Sequence, residues 1–238
     1  MKKIKIALVQ KKLGMPVTKS DAIELKKSQP HFICFPEYFF INKKFEQHKQ
    51  TIHNFKRELK RVETISRYLK TVIIGGTMLE PEEEKIYNTS YIFNRGKLIG
   101  SYRKQNLFNR EQGKITPGNE LKIFTAYGIR FGIIICADVF IHEYFVKMKG
   151  MGAKLIFIPT FSPKKDETTE EKYKRDNDIF VKGARIADAV IVKVCGVRSE
   201  FKENLQARSL IADKNGIIYR VRPDEEETEM IIMKELRI

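Results

Sequence analysis

The sequence has few of the features that mark secreted, membrane-spanning or zinc-binding proteins. Its 238 residues include three cysteines, an odd number without CxxC spacing, which argues against a disulfide scaffold or a zinc ribbon. No apolar run approaches the roughly 18 residues of a transmembrane helix. The opening MKKIKIALVQ is too short an apolar run for a signal-peptide core, and no small-residue cleavage site follows it. These absences predict a cytoplasmic protein with reduced thiols and no membrane partner.

Nucleotide and metal motifs are also missing. The chain has no GxxxxGK[ST] or GxGxxG loop and no Cys/His cluster at metal-ligand spacing, so no metal site is expected. No internal repeat and no shift of composition marks a domain boundary. We therefore expect residues 1–238 to form a single domain.

Positive charge is in excess, because the chain has 45 Lys and Arg but only 30 Asp and Glu, which gives a net charge of +15. The hydrophobic share of 42% excludes a disordered basic tail. The charge fits either nucleic-acid binding or a solvated lysine-rich surface. The basic helix expected over Lys43–Lys70 has its charges mostly opposite an apolar stripe, as any solvated amphipathic helix does. Because no nucleic-acid-binding motif accompanies it, a nucleic-acid partner is not favoured.

Short runs rich in Ile, Val and Phe alternate with helical patterns, which indicates an α/β layered fold. Several runs are apolar on consecutive residues, as expected for strands covered on both faces. The predicted strands are Ile4–Val9, Phe32–Phe35, Val72–Gly75, Ser90–Phe93, Phe131–Cys136, Leu155–Ile158, Ala189–Val194 and Ser209–Ile211. The predicted helices are Ser20–Ser28, Phe45–Lys70, Glu143–Gly150 and Asp178–Ala187.

Turn residues predict two hairpins, which would make the sheet mixed. Tyr87–Phe93 and Lys97–Arg103 flank Asn-Arg-Gly, and Ser209–Ala212 and Ile217–Val221 flank Asp-Lys-Asn-Gly. The charged stretch Ser162–Asn177 lacks a clear pattern and is interpreted as a lid, a subunit contact, a disordered segment, a helical insert or a plain solvated loop.

Three polar residues stand near the ends of predicted strands, and a fourth lies further along the chain from one of them. Glu37 follows HFICFP, Cys136 ends RFGIIIC, Lys104 follows the second strand of the first hairpin, and Glu111 comes seven residues later. Strand ends form the rim where ligand crevices occur in α/β sheets. Position alone does not rank Cys136 far above Cys195, which also ends an apolar run.

Taken together, the motifs resemble those of the nitrilase superfamily of carbon–nitrogen hydrolases, with an amidase-like character. The resemblance runs in order through nearly the whole chain. Its pieces are IALVQ, FPEYFF, GGT, YNTSYIFNRGKLIGSYRKQNLF, TPGNELKIF, YGIRFGIIICADVFIHE, GAKLIFIPT, GARIADAVIVKVCGV and ARSLIADKNGIIY. It implies a four-layer α-β-β-α sandwich of two mixed sheets, and a Glu-Lys-Cys triad that falls on Glu37, Lys104 and Cys136.

The resemblance also implies a chemistry that needs no metal or organic cofactor. Cys136 is expected to act as nucleophile and Glu37 as general base. Lys104 and the backbone N–H of Ala137 are expected to stabilise the oxyanion. Glu111 would orient Lys104 or bind the amide nitrogen of the substrate. The expected partners are a small-molecule amide and a second copy of the chain, in a homodimer or higher homo-oligomer.

Some positions depart from the family pattern. Asn106 stands where members often have histidine, and Ala137 follows the cysteine where an aromatic or polar residue is common. His142 lies at a position that varies in the pattern and is given no catalytic role.

Three functions remain open. The preferred one is an amidase acting on a small linear amide or carbamoyl compound. The others are a nitrilase or glutaminase-like enzyme and a non-enzymatic binder of nucleic acid or anionic surfaces.

Overall fold

The computed structural model describes residues 2–15, 17–41, 52–198 and 205–238. The strands are β1 (Lys3–Gln10), β2 (Phe32–Cys34), β3 (Val72–Ile74), β4 (Met78–Glu82), β5 (Lys85–Asn94), β6 (Lys97–Arg103), β7 (Ile123–Ala126), β8 (Ile129–Ile133), β9 (Leu155–Thr160), β10 (Val190–Cys195), β11 (Leu210–Asp213), β12 (Gly216–Arg220) and β13 (Met230–Arg237). The helices are α1 (Lys19–Ser28), α2 (Phe55–Leu69), α3 (His142–Gly150), α4 (Thr169–Asp176) and α5 (Lys182–Ala187), with a π-helical turn, Asn177–Val181, joining the last two.

Two mixed sheets form the centre of the protein. In the first, the order is β13-β1-β2-β3-β5-β4, with β6 paired to β5; β1, β2 and β3 are parallel and the other pairs antiparallel. In the second, the order is β12-β11-β10-β9-β8-β7, with β8, β9 and β10 parallel. Both predicted hairpins, β5-β6 and β11-β12, are present.

The short strand β2 shows how the layers are built. Phe32 and Cys34 point into the core between the two sheets, and Ile33 points into a second core with residues of α1 and α2. All three side chains are fully buried. A strand covered on both faces needs consecutive apolar residues, so the prediction from the sequence pattern is confirmed.

The second sheet carries its own helical layer. Phe145 of α3 packs against α5 where Gly183 allows a close approach, since a Cβ at Gly183 would lie 2.8 Å from the Phe145 ring. Phe145 and Ala184 are fully buried in the same core as β9 and β10. Helices on the outer faces of two packed sheets give the α-β-β-α sandwich predicted from the resemblance.

The sequence pattern predicted no strand in the C-terminal segment. Residues Met230–Arg237 form β13 and pair antiparallel with β1 along its whole length. Strands β4 and β7 were also missed, because their local patterns are short and interrupted. The predicted helix Phe45–Lys70 is described only in part, as α2; residues 42–51 lie outside the described residues. Within Ser162–Asn177, the helix α4 bears out the helical insert.

Candidate active site

Glu37 lies in the turn that leaves the C-terminal end of β2, at the rim of the first sheet. The next residue, Tyr38, has a left-handed φ of 58°, and its N–H donates to Thr77 Oγ1 at 2.9 Å. Gly76 packs against this turn with a φ of +64°, and a Cβ there would lie 2.2 Å from the Pro36 carbonyl oxygen. Only glycine fits such a close approach. The turn therefore fixes the Glu37 side chain, which is 1% exposed.

Cys136 follows β8 and begins the 3₁₀ turn Cys136–Phe140. Its φ of 45° is left-handed. A non-glycine residue held in this region costs about 1–3 kcal/mol and persists only where its surroundings enforce it. Cys136 is partly exposed, whereas Cys34 and Cys195 are fully buried. Exposure therefore distinguishes the three thiols, which strand position alone did not.

The fully buried carboxylate of Asp138 enforces this turn. Its Oδ2 accepts the Ile135 N–H at 2.8 Å and the Tyr102 hydroxyl at 2.8 Å, and its Oδ1 accepts the Asn106 N–H at 2.7 Å. Burial raises the pKa of Asp138 to about 6, although these hydrogen bonds act to lower it. No sequence pattern singled out Asp138, for which the available signal was an acid two residues after a predicted buried strand.

Lys104 follows β6, and its side chain is buried between two carboxylates. Its Nζ donates to Glu37 Oε1 at 2.8 Å and to Glu111 Oε2 at 2.7 Å. Its backbone N–H donates to the Asn88 carbonyl at 2.9 Å, which anchors the chain just past the strand. Two of the three Nζ–H donors are engaged in this way, which leaves one for another acceptor.

Asn88 of β5 is a second group that joins the two glutamates. Its Nδ2 lies 2.9 Å from both Glu37 Oε1 and Glu111 Oε1, and 2.9 Å from the Tyr38 hydroxyl. Tyr38 in turn donates to Glu111 Oε1. Asn88 is fully buried, and the sequence analysis missed it. The available signal was the polar run Asn88-Thr89-Ser90 in a strand of the first predicted hairpin.

Phe161 connects the general-base candidate and the thiol through its backbone. Its N–H donates to Glu37 Oε2 at 2.9 Å, and its carbonyl oxygen accepts from Cys136 Sγ at 3.4 Å. This residue directly follows β9, which pairs with β8. Thus the two sheets meet at this point, with the carboxylate contributed by one sheet and the thiol by the other.

Burial and charge set the protonation of the site. Burial raises the pKa of the Cys136 thiol, and the Glu37 carboxylate raises it further, while Lys104 opposes the change. Burial acts to lower the pKa of Lys104, but the charge of Glu37, together with that of Glu111, raises it above its ordinary value. Burial acts to raise the pKa of Glu111, yet Lys104 holds it below its ordinary value. The resting site therefore has a neutral thiol, a charged Lys104 and a charged Glu111.

A cavity of about 460 Å³ opens onto these groups. Its lining includes all five residues singled out from the sequence: Glu37, Lys104, Glu111, Cys136 and Ala137. Ala137 directly follows the thiol, and its carbonyl accepts from Asn106 Nδ2 at 2.6 Å. The oxyanion role of the Ala137 N–H stays a prediction. Neither Cys195 nor His142 lines this cavity.

Among residues 2–15, 17–41, 52–198 and 205–238, no group of three or more His, Cys, Asp or Glu side chains is arranged to hold a metal ion. None of the helices in this part of the chain combines the length and hydropathy of a membrane-spanning segment.

The carbon-nitrogen hydrolase family model matches residues 17–236, and the chain belongs to this family. "Omega-amidase NIT3" of Saccharomyces cerevisiae is 33% identical over 186 residues, which are 66% of this chain and 63% of that protein. "Hydrolase C26A3.11" of Schizosaccharomyces pombe is 26% identical over 202 residues, covering 74% of this chain and 62% of the relative. The chain thus matches somewhat less than two thirds of the length of these curated relatives.

The fold is shared with solved members of the nitrilase superfamily. A mutant of the amidase from Nesterenkonia sp. AN1, in complex with butyramide, superposes with a TM-score of 0.82 and 15% identity, covering 98% of this chain and 90% of that one. At this identity the likeness concerns the fold. The resemblance to the superfamily inferred from the motifs is confirmed, as is the two-sheet sandwich.

Proposed function

We propose that this protein hydrolyses the C–N bond of a small linear amide or carbamoyl compound through a thioester on Cys136. The observation that carries the proposal is the meeting of Cys136, Glu37 and Lys104 in one cavity, with the thiol and the carboxylate tied to the same backbone residue, Phe161. Membership of the carbon-nitrogen hydrolase family supports the same class of reaction.

In the acylation step, Cys136 Sγ attacks the carbonyl carbon of the amide while Glu37 accepts the thiol proton. The base is necessary because the pKa of the thiol is raised and the resting group is neutral. The carbonyl oxygen becomes an oxyanion, which takes the remaining Nζ–H donor of Lys104 and the N–H of Ala137. Each such donor is worth roughly 3–4 kcal/mol of barrier.

When the tetrahedral intermediate collapses, the C–N bond breaks and Glu37 gives its proton to the leaving ammonia or amine. A water molecule then attacks the thioester carbon, with Glu37 accepting one of its protons. The C–S bond breaks, the carboxylic acid leaves, and the proton returns to Cys136 Sγ. One residue thus serves as base and acid in turn, which requires a fixed position such as the buried turn of Glu37 provides.

Glu111 and Asn88 serve as positioning residues in this scheme. Glu111 holds Lys104 by an ion pair of 2.7 Å, and Asn88 holds both glutamates through its amide nitrogen. Neither is assigned a proton transfer. The homo-oligomer and the cytoplasmic location stay predictions.

The test is a panel of linear amides, ureido acids, nitriles and glutamine, with released ammonia measured. The enzyme, Cys136→Ala and Cys195→Ala are compared; Cys195 is the matched control because it is a fully buried thiol outside the cavity. Hydrolysis of amides or ureido acids that is lost only in Cys136→Ala, with an acyl adduct on Cys136 in mass spectra, supports the proposal. Turnover of nitriles or glutamine alone would favour the nitrilase or the glutaminase-like alternative, and turnover that survives in Cys136→Ala would overturn the assignment of the nucleophile.

A further inference from the structure

Two segments that carry groups of the candidate site are linked directly to each other. Lys104 follows β6, which pairs with β5 in the first sheet, and Cys136 follows β8, which pairs with β7 and β9 in the second. We call residues 104–106 the lysine loop and residues 135–138 the cysteine turn. Because the two segments belong to different sheets, the distance between the Lys104 ammonium and the Ala137 N–H depends on the contacts made between them.

The carboxylate of Asp138 makes the first link. Its Oδ1 accepts the Asn106 N–H at 2.7 Å and the Gln105 N–H at 3.2 Å, both from the lysine loop. Its Oδ2 accepts the Ile135 N–H at 2.8 Å, from the cysteine turn. Asp138 is fully buried, so these hydrogen bonds form in a medium of low dielectric constant and are strong. One carboxylate therefore holds the backbones of both segments.

Asn106 makes the second link, from its side chain in the lysine loop to the cysteine turn. Its Nδ2 donates to the Ala137 carbonyl at 2.6 Å. A carbonyl oxygen can only accept, so this contact fixes which end of the Asn106 amide faces the turn. The Ile135 N–H and the Ala137 carbonyl lie on either side of the peptide that joins Cys136 to Ala137, and the N–H of this peptide is the proposed oxyanion donor. The two links thus restrain that peptide from both sides.

The cysteine turn needs this restraint because of its backbone conformation. Cys136 has a left-handed φ of 45°, which a residue with a side chain keeps only where its surroundings enforce it. Relaxation of this φ toward ordinary values would change the direction of the Ala137 N–H. The links therefore set the direction of this N–H as well as its distance from Lys104.

The charge of Asp138 suits this task, because a carboxylate accepts at both oxygens. Four donors converge on it, namely three backbone N–H groups and the Tyr102 hydroxyl at 2.8 Å. An asparagine of the same shape would place its NH₂ group against at least one backbone N–H, whichever way the amide is turned. It could therefore hold the lysine loop or the cysteine turn, but not both.

We infer that Asp138 and Asn106 are positioning residues for the oxyanion site. They hold the Ala137 N–H and the Lys104 ammonium at a spacing that lets both donors reach the same oxygen. This inference rests on the proposed function, in which those two groups stabilise the oxyanion. Neither Asp138 nor Asn106 lines the cavity, so they act through the groups that do. Asn106 is also a departure from the family pattern, and its bond to the turn gives that departure a role.

The experiment compares two reactions of the same thiol. In acylation by p-nitrophenyl acetate, Cys136 Sγ bonds to the acetyl carbon, an oxyanion forms, and the C–O bond breaks to release p-nitrophenolate. In alkylation by iodoacetamide, Sγ bonds to the methylene carbon and iodide leaves without an oxyanion. The thiol proton passes to the buffer in both reactions. The ratio of the acylation rate to the alkylation rate is the readout, because the access and the pKa of the thiol enter both rates.

The test variants are Asn106→Ala, which removes one link without a change of charge, and Asp138→Asn. Cys136→Ala gives the background rate with each reagent. The matched control is Ser66→Ala, which removes a fully buried hydroxyl that donates to the Thr71 carbonyl at 2.9 Å and does not line the cavity. This control shows what the loss of a buried hydrogen bond does elsewhere in the fold.

We expect the ratio to fall by about 10- to 100-fold in Asn106→Ala, the loss typical of a donor displaced by up to about 1 Å. Asp138→Asn should lower it in the same direction, and Ser66→Ala should keep it. If Asp138→Asn does not fold, Asn106→Ala still decides the test. On an accepted amide, Asn106→Ala should lower kcat with little change in KM.

An unchanged ratio in Asn106→Ala would overturn the inference, even if acylation and alkylation both became slower. Equal losses in the two reactions indicate a displaced thiol and not a displaced oxyanion donor. A rise in KM at constant kcat would also overturn the positioning role, since Asn106 would then act in substrate binding.

These outcomes can be separated from failure of the proposed function, because the ester reports on the oxyanion site whether or not amides are substrates. A lower ratio in Asn106→Ala, in a protein that hydrolyses no amide, would support the positioning role and remove the proposed function. Amide hydrolysis with an unchanged ratio would leave the proposed function standing and remove the positioning role.

Discussion

Lys104 and Glu111 form a buried ion pair, with Nζ 2.7 Å from Oε2 and both side chains at most 2% exposed. The pair lies inside the protein rather than at its surface, so solvent does not screen it. Because Glu37 binds the same ammonium at 2.8 Å, Lys104 is held between two carboxylates. This arrangement fixes where its remaining N–H points, and in the proposed mechanism that N–H stabilises the oxyanion.

We therefore expect Glu111→Gln to lower kcat by about 100-fold with little change in KM, the effect of a catalytic group displaced by about 1 Å. The amide of glutamine keeps the shape but loses the charge that orients Lys104. Steady-state kinetics on any accepted amide measure the effect. The matched control is Glu143→Gln, since Glu143 pairs with Lys147 at the surface and should leave both constants unchanged. A tenfold rise in KM at constant kcat would instead assign Glu111 to substrate binding.

Features of the fold that depend on residues close together in the sequence could be predicted, whereas pairings between distant segments could not. The faces of β2 could be predicted because each residue's burial follows from its own neighbours in the chain. Strand β13 could not be predicted in this way, because it is stabilised by pairing with β1 at the other end of the sequence. The contact of Asn88 with Glu37 is similarly long-range.

The same reasoning applies to the charged groups. The motif resemblance singled out Lys104 among the 45 Lys and Arg residues of the chain. Nothing in the local pattern indicates that Lys193 and Arg208 converge on Asp176, since each comes from a different segment of the chain. Only the fold of the second sheet and its helices brings them to one cavity.

Asn88→Asp should destabilise the protein and abolish activity at neutral pH. The change places a third carboxylate against Glu37 and Glu111, and a broken buried charge network costs about 3–5 kcal/mol. Repulsion disfavours three charged carboxylates in one buried site, so protonation restores stability as the pH is lowered. Urea unfolding at several pH values measures the effect. Asn215→Asp, in the exposed turn before β12, is the control and should change little. Equal unfolding free energies at pH 7 for Asn88→Asp and the wild type would contradict the network.

Asp138 should make stability depend on pH between about 4 and 7. Burial raises its folded pKa to about 6, above the value of 3.8 expected for an unfolded chain. The folded state therefore binds the proton more tightly, and the stabilisation from the protonated form is lost as the pH rises through 6. The full change is roughly 3 kcal/mol. Unfolding free energies of wild type and Asp138→Asn should diverge over this range, because asparagine does not titrate.

If Asp138→Asn does not fold, the pKa of Asp138 can be measured directly in the wild type. Carbon-13 NMR of the aspartate carboxyls in the wild type should show one group that titrates near pH 6. If every aspartate titrates below pH 4.5, the raised pKa of Asp138 is refuted.

Glu37→Gln should change thiol reactivity and amide hydrolysis in opposite directions. The Glu37 charge raises the pKa of the Cys136 thiol, so removing it lowers that pKa and leaves more thiolate at neutral pH. Alkylation of Cys136 by iodoacetamide should become about tenfold faster, which corresponds to one pKa unit. Amide hydrolysis should fall by about 100-fold or more, because the proposed general base is gone.

Lys104→Met should change the alkylation rate of Cys136 in the direction opposite to Glu37→Gln. Lys104 lowers the pKa of the Cys136 thiol, so its loss should slow alkylation while hydrolysis also falls. Peptide mapping after limited alkylation, with Cys195→Ser as background, identifies the thiol that reacts. Two variants that both lose hydrolysis but move alkylation in opposite directions separate the base from the cation. If Glu37→Gln slows alkylation as much as Lys104→Met does, Glu37 is not the group that controls the thiol proton.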